Sequence, residues 1–239
     1  MFLVLMTLVP LLMAIYIVKR LILPCDISLR LKMILTAFTL LFSQAAGINF
    51  VLYGTSFRTE LVMILTSFCF CFIFMLFICC LLANLIGWIF GLFFPVFWIV
   101  FTAFGVCLLS MWLGTKQPSI HRLNFHAGLA QPVKIVQLTD LHIGSYFTKE
   151  WLAKVIDKVN ALHPDIVFIT GDIIDGSPHL LEPQLQPLTK INAPVYMVYG
   201  NHEYYYNLKQ WVPVFERLGL HILENESVEA NGLVIGGVG

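Results

Sequence analysis

The sequence predicts a multi-pass α-helical membrane region followed by an α/β domain. Three observations predict this order. The chain of 239 residues is 59% hydrophobic and 12% charged, too apolar for an ordinary soluble domain. Its charges are unevenly placed: residues 1–115 hold Lys19, Arg20, Asp26, Arg30, Lys32, Arg58 and Glu60, and the other 21 lie in residues 116–239. The second part also carries several apolar runs of strand length that end abruptly in polar clusters, with helical periodicity between them. The two parts have opposite net charge, +3 and −3, which cancels over the chain. Neither has the dense basic patch of a nucleic-acid binder, so no nucleic-acid partner is expected.

Four apolar stretches fill the first region, at about 2–18, 33–53, 61–82 and 88–113. A bilayer core needs about 20 apolar helical residues. The last two stretches together are too long for one helix, and Asn84, Gly87 and Gly91 mark the expected turn between them. Trp88 and Trp112 fall near proposed helix ends, where indole rings favour the headgroup zone. The first stretch is read as a retained helix, because its positive charges follow the apolar run instead of preceding it. The first connection is rich in Lys and Arg, which places it in the cytoplasm. Four crossings then put the second region outside, with Lys116 and Arg122 counting against. The expected location is a bacterial inner (plasma) membrane. All six cysteines lie in this region, read as small apolar side chains. No charged residue or histidine occurs in 33–53 or 61–113, so the helices read as an anchor rather than an ion pathway.

In the second region, 120–127 alternates roughly and suggests a first strand. Val133–Leu138 is a second, ending at Thr139-Asp140. Thr148 is placed to cap a helix whose Leu152, Val155, Ile156 and Val159 recur at helical spacing. Asp165–Thr170 is a buried-type strand ending in Gly171-Asp172. Ala193–Tyr199 is another, ending in Gly200-Asn201-His202-Glu203. A helix is expected over Leu208–Leu218, then short strands near His221–Leu223 and Leu233–Gly236. Parallel strands joined by right-handed crossovers carry their C-terminal ends to one edge, so the three polar clusters should converge there. Taken singly, Asp140, His142 or Asp172 would be better read as a turn cap, a packed histidine or a turn residue; only joint placement suggests a site.

Asp140-Leu141-His142, Gly171-Asp172 and Gly200-Asn201-His202-Glu203, in that order after strands, resemble the first three motifs of the calcineurin-like metallophosphoesterases. The run from Val136 to His142 and the stretch Phe168–Gly176 look like that family's membrane-associated bacterial branch. The resemblance implies an α/β metallophosphoesterase-like domain over 116–239, a partial β-sandwich flanked by helices. It implies a hydrolase of phosphomonoesters or phosphodiesters using two divalent metals, for which Mn, Fe or Zn suit the mixed N/O donors. Asp172 would bridge the metals, Asp140 and His142 would hold the first, Asn201 would reach the second, and His202 would serve the leaving group. Asp175 is either an orienting neighbour or a solvated loop carboxylate, and Glu203 is assigned no direct role. Tyr204–Tyr206 could meet an apolar or sugar-bearing substrate; an interfacial or packing role is the other reading. Likeness to the branch containing the UDP-diacylglucosamine pyrophosphatases hints at lipid-linked substrates.

The family pattern continues with a further histidine and a Gly-His-x-His motif, and no Gly-His occurs in this sequence. The expectation is therefore a C-terminally truncated member that holds at most one metal well and turns over poorly. The competing reading is a non-catalytic membrane protein, or relic, with a partner-binding role.

Overall fold

The computed structural model describes residues 2–45, 47–48, 60–126 and 128–239. The chain divides into two compact units, 1–116 and 117–239, each described by itself.

In the first unit α1 (Phe2–Ile17) runs directly into a π-helical turn, Val18–Ile22. Lys19 and Arg20 are thus helical, where the sequence placed them in the connection. After a short bend, Ser28 caps α2 (Leu29–Ser43) by accepting the Leu31 N–H. This start is four residues earlier than expected, and the remainder of the expected stretch, 49–53, lies outside the described residues. α3 (Glu60–Phe90) and α4 (Val96–Gly114) form a hairpin. Of the three residues expected to mark the turn, Asn84 and Gly87 stay helical and the turn begins at Gly91, whose φ of 67° only glycine adopts freely. Gly87 stays helical and lets the returning chain close in: a Cβ there would sit 2.7 Å from the Leu92 carbonyl oxygen. Three described helical segments are long and apolar enough to cross a membrane: Val4–Ile22, Leu61–Phe90 and Val96–Gly114.

Side-chain contacts give the direction of each helix. Lys32 Nζ donates to the Leu23 carbonyl (2.8 Å) and Gln44 Nε2 to the Thr7 carbonyl (3.4 Å), so α2 runs back alongside α1. Tyr16 meets both Phe77 and Asn84, while Arg20, one turn later, reaches Asn84. α1 and α3 therefore run the same way. Phe68 and Phe72 pack on Phe104, as the α3–α4 hairpin requires. Small buried residues (Cys80, Ala83, Ala103) let these helices approach closely, and large apolar side chains such as Leu65, Trp98 and Phe101 face outward.

The second unit is built on a parallel sheet in the order β1 (Ile135–Leu138), β2 (Ile166–Thr170), β3 (Val195–Val198), β4 (Leu220–Ile222). Strands added sequentially in one direction by right-handed crossovers put every connecting helix on one face. That face buries Val167, Ile169, Val195 and Met197 against α5 (Lys149–Ala161) and, beyond the short helices α6 (Pro178–Leu181) and α7 (Asn201–Tyr205), against α8 (Leu208–Arg217). The opposite face, with Ile166, Phe168 and Tyr196, is covered by an antiparallel hairpin of β5 (Glu226–Ala230) and β6 (Leu233–Gly237). The result is an α/β unit with a partial sandwich.

Three local expectations are corrected. Residues 120–126 form no strand; Ile120, Leu123 and Phe125 are exposed, so their alternation has no sheet to face, and Ala127 lies outside the described residues. Thr148 stands before α5 without a side-chain cap, because its hydroxyl donates to Glu150 instead. Strand β5 was not anticipated.

Trp211 on α8 is fully buried, stacks on Phe215 and donates from Nε1 to the Gly176 carbonyl (3.1 Å). It ties α8 to the loop that carries Asp172 and Asp175. Trp211→Ala should destabilise the unit by about 3–5 kcal/mol, measured by urea-dependent hydrogen exchange of the β2 and β3 amides in the full chain. A change under about 1 kcal/mol would show that the loop is held by other means.

Candidate metal centre

The site lies at the carboxyl edge of the sheet, where β1, β2 and β3 end in register: Leu138 pairs with Ile169, and Thr170 with Val198. The β1–β2 pairing continues into the loops. Asp140 N–H donates to the Gly171 carbonyl (3.3 Å), His142 N–H to Asp172 (3.0 Å) and Ile143 N–H to Ile173 (2.7 Å), and Asp175 N–H returns to Ile143 (2.9 Å). The two motif loops are therefore laid side by side as one unit.

Within them Asp140, His142 and Asp172 have left-handed backbones, with φ of 54°, 44° and 53°. Each such non-glycine residue costs about 1–2 kcal/mol, and the loop ladder holds them there. The consequence is convergence: one ligand atom each from Asp140, His142 and Asp172 lies within 4.8 Å of the others. His142 Nε2 stands 3.8 Å from Asp140 Oδ1. These three sequence candidates are brought together, half-buried except for the exposed Asp140.

The β3 loop joins through close backbone approach. A Cβ on Gly171 would collide with the Gly200 backbone, and one on Gly200 with the Asp172 carboxylate. His202 N–H donates to Asp172 Oδ1 (2.9 Å). Asn201 opens α7 between these two contacts, exposed at the same edge. His202 also meets His142, ring to ring, at 4.5 Å.

Asp175 resolves its two sequence readings in favour of an orienting neighbour. Its Oδ1 accepts from His142 Nδ1 (2.9 Å) and from His202 Nδ1 (2.6 Å). A carboxylate on both Nδ1 atoms fixes both rings as Nδ1–H tautomers and leaves each Nε2 free. The Asp175 hydrogen bond raises the His142 pKa above the ordinary imidazole range; burial opposes it, and the carboxylates of Asp175, Asp172 and Asp140 add to it. A divalent cation would replace that proton. The donor set, two carboxylates and an imidazole with its far nitrogen anchored, fits such a cation.

Glu203 is the residue that sequence reasoning missed. It is completely buried, and its carboxylate accepts three backbone N–H groups: Asp172 (2.8 Å), Ile173 (2.8 Å) and Gly200 (2.7 Å). The signal was present in Gly-Asn-His-Glu, since a glutamate at the third helical position often reaches back to the N-cap. The other histidines stand apart. His121 meets Ser119, His221 lies tilted against Tyr196, and His126 is exposed. The tyrosines divide: Tyr206 packs on the core, Tyr204 lies against Tyr199, and Tyr205 is exposed with its ring 5.7 Å from His202.

Residues 133–237 match the calcineurin-like phosphoesterase family. An uncharacterized metallophosphoesterase of Helicobacter pylori is 33% identical over 131 residues, covering 48% of this chain and 35% of its own length. One from Aquifex aeolicus is 36% identical over 109 residues, covering 44% and 42%. A bovine (Bos taurus) transmembrane protein with a metallophosphoesterase domain is 32% identical over 117 residues, covering 48% and 26%. The chain thus spans about a quarter to two fifths of the length of these curated relatives.

Replacing Glu203 by Gln keeps the volume but sets an NH2 group against backbone N–H donors. Glu203→Gln should lower the unfolding free energy by about 2–4 kcal/mol and weaken Mn2+ binding, read by denaturant melts and metal titration of the full chain. An unchanged melt would show that the three N–H groups find other acceptors.

Proposed function

We propose that this chain, whose residues 133–237 form a calcineurin-like phosphoesterase domain, is a membrane-anchored, metal-dependent phosphoesterase acting on phosphomonoester or phosphodiester bonds of lipid-linked substrates. The observation that carries the reading is the convergence of Asp140, His142 and Asp172 at the carboxyl edge of the sheet. When bound, two divalent cations would offset phosphoryl charge and lower the pKa of a water so that a hydroxide nucleophile is available near neutral pH. Asp140 and His142 would hold the first, with Asp172 shared between both and Asn201 giving its amide oxygen to the second. His202, oriented through Nδ1 by Asp175, would present Nε2 to the leaving-group oxygen and, when the ring is protonated at both nitrogens, would donate that second proton. The apolar helices keep this chemistry at a membrane surface, which supports lipid-linked substrates.

Only Asp172 and Asn201 among the described residues are proposed for the second metal, which is a weak set. This chain by itself should therefore retain about one ion and hydrolyse slowly. Metal analysis of the purified chain, with bis(p-nitrophenyl) phosphate as substrate, tests it: two tightly held ions with rapid turnover would overturn the impairment. Asp172→Asn should reduce whatever hydrolysis is present at least ~100-fold; retained activity would reject the shared carboxylate.

For orientation we propose the outer face of a bacterial plasma membrane. The antiparallel α2 and the shared direction of α1 and α3 support four crossings, which return residue 115 to the side of the N-terminus. The cationic end near Lys19, Arg20, Arg30 and Lys32 then faces the cytoplasm. Protease added to sealed cells should remove the 117–239 unit. Its protection in intact cells, with cleavage after lysis, would reverse the assignment.

A further inference from the structure

Arg20 sits in an unusual place for an unpaired cation. It lies in the π-helical turn Val18–Ile22, between Val18 on one side and Leu21 and Ile22 on the other, all three buried. π-turns inside helices are rare and concentrate at functional positions. The turn directs Arg20 onto α3, where its Nε donates to Asn84 Oδ1 (2.6 Å). The Asn84 amide in turn donates to the Tyr16 hydroxyl. This relay holds the guanidinium by one nitrogen and leaves its two terminal amino groups for another acceptor. Among the described residues no carboxylate supplies one. Among the described residues no ion pair is formed by Lys19, Arg20, Arg30 or Lys32, and the neighbouring acidic residue, Asp26, pairs with none of them.

The depth of this group adds a second constraint. Asn84 is six residues before the end of α3, about 9 Å at 1.5 Å per residue. Trp88, 83% exposed on the same end of the helix, marks a headgroup level. A guanidinium at or just below that level is costly unless an anion meets it. At that height the abundant anion is a phospholipid phosphate, and on a cytoplasmic leaflet the headgroups are enriched in negative charge.

We infer that the end of the helical unit formed by Arg20, Asn84 and Tyr16, flanked by Lys19, Arg30 and Lys32, is a binding site for the phosphate of an anionic phospholipid. The planar fork of Arg20 takes two phosphate oxygens, with its Nε fixed by Asn84. The flanking cations add attraction to the negative headgroup without geometry of their own. The site is independent of the phosphoesterase reading and would persist in a catalytically silent chain.

Native mass spectrometry of the full chain, released from bilayers of equal phosphatidylglycerol and phosphatidylcholine, tests the inference. Phosphatidylglycerol should be retained preferentially, and Arg20→Gln should cut that preference about fivefold or more. Arg30→Gln should cut it less, and Asn84→Ala should fall between the two. Helicity by circular dichroism checks that the variants fold. Equal retention of both lipids by the unaltered chain would overturn the site even if every variant failed to fold. Equal losses from Arg20→Gln and Arg30→Gln would overturn it in favour of diffuse attraction. Displacement of the lipid by millimolar inorganic phosphate would overturn the lipid assignment and leave a free-anion site.

Discussion

Three backbone N–H groups converge on the buried carboxylate of Glu203, and the geometry of the candidate metal centre depends on that convergence. Two of the donors belong to the loop after β2 and one to the loop after β3. A carboxylate can accept from several donors at once, and in a buried setting each bond stands in for lost water. The arrangement presses Gly200 against Asp172 at a spacing only glycine permits. The His202 N–H then meets the Asp172 carboxylate, and the loop carrying His202 becomes part of the same body as the candidate metal ligands.

A second layer acts on the imidazoles. One oxygen of Asp175 serves both His142 and His202, so one side chain sets the tautomer of a candidate metal ligand and of the neighbouring histidine together. Asp175 is positioned by its own N–H to Ile143, and the loop is clamped from outside by Trp211 on Gly176. Ligand placement is thereby traced back to the helix-covered core. The left-handed backbones at Asp140, His142 and Asp172 are tolerable because these supports surround them.

The helical unit follows the same logic with different solvent. Apolar side chains face outward at little cost in lipid, so the internal contacts are made by small residues and by a few polar groups. Gln44 on Thr7 and Asn84 on Arg20 are the points that reveal helix direction. Asn84 was read as part of a turn, because an Asn-x-x-Gly pattern between apolar runs resembles a loop when its partner on another helix is unseen.

Much of this was legible in the chain itself. Periodicity placed α5 and α8, apolar runs placed β1 to β3, and strand ends followed by Asp, Gly and His marked where the centre would form. Asn231-Gly232, with φ of 51° and 74°, is a strong hairpin signal that was legible and overlooked, which is why β5 went unpredicted. Residues 120–126 show the converse, an alternation that found no partner strand. Composition and local periodicity determine which segments are helix, strand or span, because those depend on neighbours within a few residues. Contacts between segments far apart in the chain decided the rest: Glu203 joining two loops, Asp175 shared by two histidines, and Arg20 turned onto Asn84. Each spans about 27 to 64 residues in at least one of its bonds, and no local pattern encodes a distance of that kind.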